Sequence, residues 1–232
     1  MKKSLILVSG LLCTEVLWRD QVADLADIAE ITVTDEHLKH DDIGDIAVAI
    51  LNAAPSTFAL AGLSFGGYVV FEIMRRAPDR VERLALLDTT AQRDDPERLA
   101  QRRDMLELAR RGSFRGMTDR LLPEFVHPDR LADIELMNDI KAMSQSVGAE
   151  AYFRQQTAIM GRPDSRPTLA EIRCPALVLV GRQDSRTPLA MAEEIHAGIA
   201  GSRLVVVEDC GHLATMEQPA AVNAALRDWL TA

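Results

Sequence analysis

No apolar run in the sequence approaches the roughly 20 residues needed to span a bilayer, so no transmembrane helix is predicted. Cysteine is scarce. Cys13, Cys174 and Cys210 form no C-x-x-C pair, which argues against a disulfide framework or a zinc knuckle and for a reducing, cytoplasmic setting. A basic excess is also missing: the net charge is -9 and the pI about 5.1. Nucleic-acid binding needs a basic patch to neutralise phosphates, so no such partner is expected. Internal repeats and low-complexity segments are absent too. Lys2, Lys3, the run Leu5 to Val8 and Cys13 outline an export signal. The run is short, however, no small-x-small site follows, and Leu12 stands before Cys13 where a lipoprotein signal needs a small side chain, so export is not expected.

What is present is 232 residues with 47% apolar content, enough for one well-buried core. Short β-branched and leucine-rich runs recur at Leu5 to Val8, Ile31 to Thr34, Thr57 to Ala61, Arg83 to Leu87, Ala176 to Val180 and Leu204 to Val207. Continuous apolar runs of that length suit a parallel sheet covered on both faces. Helical patterns lie between them at Ile43 to Asn52, Tyr68 to Arg76, Leu189 to Ile199 and Ala220 to Leu230. The alternation predicts an α/β, doubly wound, mainly parallel sheet of about six strands.

Between Asp88 and Cys174 no convincing strand occurs. Helices are expected there at Glu97 to Arg111, Phe114 to Leu122, Arg130 to Ser144 and Ala149 to Met160, an all-helical lid insertion. The organisation predicted is a single domain, 1–232, with core 1–92 and 168–232 and the lid at about 93–167.

Gly62-Leu63-Ser64-Phe65-Gly66 directly follows one predicted strand and directly precedes a helix that ends before Pro78. This is the setting in which a G-x-S-x-G elbow presents a nucleophilic serine. The turn must be sharp, and small flanking residues let strand and helix approach. The following helix points its positive end at the site, which favours an oxyanion there.

A base and an acid should follow on later strand-end loops. His212 sits in Glu208-Asp209-Cys210-Gly211-His212, just past a predicted strand, and its imidazole can exchange a proton with Ser64. Asp184, in Gly181-Arg182-Gln183-Asp184, would fix the histidine tautomer and stabilise the imidazolium. Asp88, at the end of another strand, is the alternative acid, while Asp209 reads as a loop residue. The expected oxyanion hole pairs the N–H of Phe65 with that of Leu11, in Ser9-Gly10-Leu11-Leu12 after the first strand.

With these residues in place the chain resembles the α/β-hydrolase superfamily, specifically its small lidded carboxylesterase-like members. The likeness extends over the whole sequence and includes Glu217-Gln218-Pro219 ahead of an amphipathic C-terminal helix. It implies a serine hydrolase cleaving a carboxylic ester, thioester or lactone of a small-molecule acyl substrate, with no metal or organic cofactor. Carbon–carbon hydrolysis or lyase chemistry with the same triad, or a non-catalytic ligand receptor on the fold, are the alternatives. Trp18, Phe125, Tyr152 and Phe153 are candidates for lining an acyl pocket.

Three departures from the family pattern are visible. Ser9-Gly10 stands where His-Gly is usual. No hairpin precedes Ser4 to Val8, so a trimmed six-stranded core is expected. Asp35 to Asp42 replaces a Gly-rich loop. His37 and His40 in that loop could suggest a metal, but a solvated loop with Asp41 or Asp42 capping the next helix is the expectation. The lid carries many arginines that could dock an acidic acyl carrier protein. They are matched by interspersed carboxylates, so a mixed solvated surface is predicted instead. Cys13 and Cys210 flank the site and read as buried small hydrophobes.

Overall fold

Alternate residues of each apolar run point to opposite faces of one sheet. A computed structural model describes residues 2–232, with the side chain of Ser113 outside that description. In chain order β1 (Lys3–Val8), α1 (Arg19–Leu25), β2 (Ala29–Thr34), α2 (Ile43–Ala53), β3 (Phe58–Leu63), α3 (Phe65–Arg76) and β4 (Val81–Leu87) come first. Next are α4 (Pro96–Leu108), α5 (Ile134–Gly161) and α6 (Arg166–Leu169). The chain closes with β5 (Ala176–Gly181), α7 (Leu189–Gly198), β6 (Arg203–Val207), α8 (Ala214–Glu217) and α9 (Pro219–Thr231).

The six strands are ordered β2-β1-β3-β4-β5-β6, and every neighbouring pair is parallel. Leu5, Leu7, Ala59, Ala61, Leu177 and Leu179 face a core shared with Trp18, Leu25, Leu226 and Trp229. Ile6, Val8, Leu60, Leu84, Val178 and Val180 face the other core, built with Ile46, Val69, Phe71 and Ile195. Period-two alternation thus buries both faces, as a parallel sheet requires. All strand C-termini lie at one edge, where ligands bind in open α/β sheets.

The predicted strands fall within two residues of the observed ones. The insertion between β4 and β5 is helical as expected, but its helices differ. No helix covers Phe114 to Leu122: Gly112 (φ 79°) and Gly116 (φ 63°) adopt left-handed backbone, and Met117 N–H donates to Ser144 Oγ at 2.7 Å. A Cβ at Gly116 would come within 2.7 Å of that hydroxyl, so the turn is pressed against α5. The expected helices Arg130 to Ser144 and Ala149 to Met160 become one long element, α5, which starts only at Ile134 because Asp133 caps it. Its single break is at Gly148 (φ 76°, ψ 168°).

Candidate active site

β3 is buried throughout and α3 begins at Phe65, so Ser64 alone makes the turn between them, with φ 56° and ψ -115°. A non-glycine residue held there costs on the order of 1–3 kcal/mol. Ser64 N–H donates to Leu87 O at 3.0 Å, while its carbonyl accepts Gly67 N–H at 2.9 Å and the Thr89 hydroxyl at 2.8 Å. These bonds lock the strained residue. Any Cβ on Gly66 would collide with the Val8 carbonyl, and one on Gly62 would come within 2.6 Å of Gly66, which explains both glycines. The serine hydroxyl is thereby raised above the end of β3.

His212 follows β6, and its Nε2 lies 2.9 Å from Ser64 Oγ. Its Nδ1 lies 2.8 Å from Asp184 Oδ2. The carboxylate can only accept, so Nδ1 carries the hydrogen and Nε2 is free to receive the serine proton. Asp184 also accepts the Thr187 hydroxyl at 2.6 Å, Thr187 N–H at 3.0 Å and Arg186 N–H at 2.8 Å. Burial raises its pKa, but the His212 charge and these donors outweigh burial and hold it below the usual carboxylate value. Asp184 therefore stays charged.

Asp88 is brought close but does not touch the imidazole. Its carboxyl accepts Gly181 N–H at 2.9 Å and Ala214 N–H at 3.2 Å. Burial, reinforced by the negative charge of Asp184, pushes its pKa well up. Of the two candidate acids, only Asp184 reaches His212.

The histidine loop has an anchor that sequence reasoning passed over. Glu217, buried, accepts the N–H groups of Gly211 at 3.1 Å, Leu213 at 3.1 Å and His127 at 2.6 Å. A second tie runs from His212 N–H to Phe125 O at 2.8 Å, which joins the loop to the insertion. Neither Glu217 nor Thr187, which supports Asp184, follows from spacing: Glu217 stands in the sequence only as part of a helix-start motif. Thr187 had one faint signal, its position three residues after Asp184 in a turn.

Phe65 opens α3, and Leu11 lies in the loop after β1. Neither backbone N–H donates to another protein group among the described residues, whereas the adjacent Leu12 N–H is held by Gln155 Oε1 of α5 at 3.1 Å. Both Leu11 and Phe65 line the cavity over Ser64. Ser9 Oγ donates to Thr14 O at 3.0 Å and braces the loop where the family's histidine is missing.

That cavity has an inner chamber of about 60 Å³ at Ser64 and a wider outer chamber of about 410 Å³, which share Leu11, Met117, Phe125 and three arginines. Of the pocket candidates, Phe125 lines both chambers and Tyr152 the outer one. Trp18 is instead fully buried in the core shared with α1 and α9, and Phe153 packs beside Tyr152 under the Arg110 guanidinium, away from both chambers. Phe125 also meets His212 edge-on, with ring centroids 5.7 Å apart.

The loop with His37 departs from the solvated loop expected. His37 is buried, and its Nε2 lies 3.0 Å from Cys13 O, so it props the loop bearing Leu11. Asp42 does cap α2, accepting Gly44 N–H at 2.7 Å. His40 bonds Glu36 at 3.3 Å. Among the described residues no cluster of three or more His, Cys, Asp or Glu could hold a metal, and no helix is long and apolar enough to cross a membrane. Cys13 and Cys210 are buried and free, with burial pushing the Cys13 thiol up to about 12.

A pimeloyl-[acyl-carrier protein] methyl ester esterase from Neisseria meningitidis serogroup C is 28% identical over 197 residues, 82% of this chain and 75% of the relative. Among solved structures, a thermophilic esterase from Thermogutta terrifontis matches with a TM-score of 0.89 and 29% identity, covering 99% of this chain and 90% of the other. An enol-lactonase from Burkholderia xenovorans LB400 matches with a TM-score of 0.90 and 25% identity, covering 100% and 92%. The model of the alpha/beta hydrolase family matches residues 18–225, a span that contains Ser64, Asp184 and His212. With its all-parallel sheet and serine elbow, this chain belongs to the alpha/beta hydrolase family.

Proposed function

We propose that the protein hydrolyses a carboxylic ester, thioester or lactone of a small-molecule acyl substrate, with Ser64 as nucleophile, His212 as base and Asp184 as its charged partner. The observation that carries this reading is the unbroken line from Asp184 Oδ2 to His212 Nδ1, 2.8 Å, and from His212 Nε2 to Ser64 Oγ, 2.9 Å. Ser64 Oγ attacks the carbonyl carbon as its proton passes to His212 Nε2. The carbonyl oxygen, now anionic, is held by the N–H groups of Phe65 and Leu11. The bond to the leaving oxygen or sulfur then breaks as the imidazolium protonates it, which leaves an acyl-enzyme on Ser64. Water attacks that acyl carbon, gives a proton to His212, and releases the acid while Ser64 regains its hydrogen. Every step uses protein groups and water alone.

A carrier protein enters only through the name of the Neisseria relatives. Some of the insertion's arginines are tied to carboxylates of the chain itself, such as Arg102 to Asp94 and Arg130 to Asp133, and acidic residues are interspersed with the rest, a mixed face that favours a small molecule. A cytoplasmic setting belongs to the same reading and is supported by the free cysteines. Turnover of p-nitrophenyl acetate and butyrate by the parent and by Ser64→Ala tests the proposal. Hydrolysis by the parent and its loss in the variant are expected. Full activity in Ser64→Ala would overturn the mechanism, no turnover in either would favour a ligand receptor, and preference for a vinylogous diketone would favour carbon–carbon hydrolysis.

A further inference from the structure

The chain is acidic overall, yet the inner chamber at Ser64 is lined by Arg98, Arg102 and Arg186 and by no aspartate or glutamate side chain. Two of the three arginines are already engaged. Arg102 bonds Asp94 through Nε and Gln156 through Nη1, and Arg186 pairs with Glu124 at 2.9 Å while lying 5.1 Å from the centre of the Phe125 ring. Arg98 differs. Its only side-chain bond runs from Nη2 to the carbonyl of Arg186 at 2.9 Å, and among the described residues no carboxylate pairs with it. It is half-buried and lines both chambers, beside Leu11, Met117 and Phe125, with Asp104 and Glu124 confined to the wall of the outer one.

A half-buried guanidinium that no carboxylate of the chain pairs with is open to an incoming anion. Its Nε and Nη1 remain available, and that edge of the planar fork matches the two oxygens of a carboxylate. Arg98 and Ser64 line the same inner chamber, so one ligand can meet both. We infer that Arg98 is a subsite for a free carboxylate, so the preferred substrates are esters or lactones bearing a second, ionised acid group. This rests on the hydrolytic reading of Ser64, and it names the substrate class of that same site.

The test compares mono-p-nitrophenyl adipate with its chain-matched neutral ester, p-nitrophenyl hexanoate, for a carboxylate on the acyl side. A second pair, 4-acetoxybenzoate and its methyl ester, places the carboxylate on the leaving group instead. In the parent, kcat/KM for the anionic member of at least one pair is expected to exceed that of the neutral member tenfold or more, and to fall as salt is raised. Arg98→Gln should lower this anionic-to-neutral ratio at least tenfold, mainly through KM, and Arg98→Lys should restore part of it. A parent ratio near one for both pairs, or a ratio that Arg98→Gln leaves unchanged, overturns the subsite; general misfolding would depress both members together. Calorimetric binding of monomethyl adipate to Ser64→Ala, with and without Arg98→Gln, separates the two readings. If no ester is hydrolysed but binding depends on Arg98, the hydrolytic mechanism fails and the anion subsite stands; if binding ignores Arg98, the subsite fails whatever the kinetics.

Discussion

Asp88 accepts the N–H of Gly181 at 2.9 Å, which commits its carboxyl to the root of the loop that carries Asp184 to His212. Burial and the neighbouring charge of Asp184 raise its pKa well above the ordinary value, and its other oxygen accepts Ala214 N–H at 3.2 Å, so neither oxygen is bonded to His212. A carboxyl bonded to backbone N–H groups elsewhere does not orient the imidazole. Asp184→Asn should therefore reduce kcat/KM for a p-nitrophenyl ester by about three to four orders of magnitude, whereas Asp88→Asn should cost about tenfold or less. The opposite ranking would transfer the acid role to Asp88.

Glu217 gathers three N–H groups from around His212, and truncating it leaves all three buried without an acceptor. Glu217→Ala is expected to destabilise the fold by about 2–5 kcal/mol in urea unfolding. Because Gly211 and Leu213 flank the histidine, kcat should fall more than KM rises. Unchanged kcat in the folded variant would mean that the bond from His212 N–H to Phe125 O suffices to aim the ring.

Gln155, fully buried on α5, fixes the loop of Leu11 by accepting the next residue's N–H. Gln155→Ala should let that loop drift and lower kcat by about ten- to a hundredfold, with little change in KM, because an oxyanion donor acts chiefly in the transition state. A change confined to KM would show that the loop holds its position without this bond.

Asp94 supplies the pH-dependent term. Burial disfavours its charge, but hydrogen bonds from Arg162 and Arg102 prevail and lower its pKa from 3.8 to about 2. The depressed value means its stabilisation is present above the unfolded pKa and disappears as the pH falls through the folded one. Asp94→Asn should therefore cost about 2 kcal/mol at neutral pH, and the gap between parent and variant should begin to narrow below about pH 4 and close only as the pH falls through about 2. A gap that persists at low pH would assign the loss to packing.

Much of this was legible locally. Leu5 to Val8 and Ala176 to Val180 declare buried parallel strands because nothing in them could face water, and Gly62, Ser64 and Gly66 declare an elbow because their spacing serves a single turn. The insertion was harder to read. Phe114 to Leu122 has helix-compatible residues, but the left-handed glycines and the Ser144 hydroxyl beside them impose a turn that only packing against α5 creates. Trp18 could serve a pocket or a core, and its place in the core depended on where α1 and α9 closed over the sheet.

The sequence by itself determined the sheet, the chain order of Ser64, Asp184 and His212, and the strained turn at the serine, since each follows from residue type and short-range spacing. Tertiary structure brought Asp184, and not Asp88, within hydrogen-bond reach of His212, turned His37 inward as a prop, recruited Glu217 and Gln155 to hold two loops, and left Arg98 without a carboxylate. The physical reason is the same in each case. Which donor meets which acceptor, and which charge goes unpaired, depends on distances between segments far apart in the chain, and those are fixed only when the sheet, its helices and the insertion pack together.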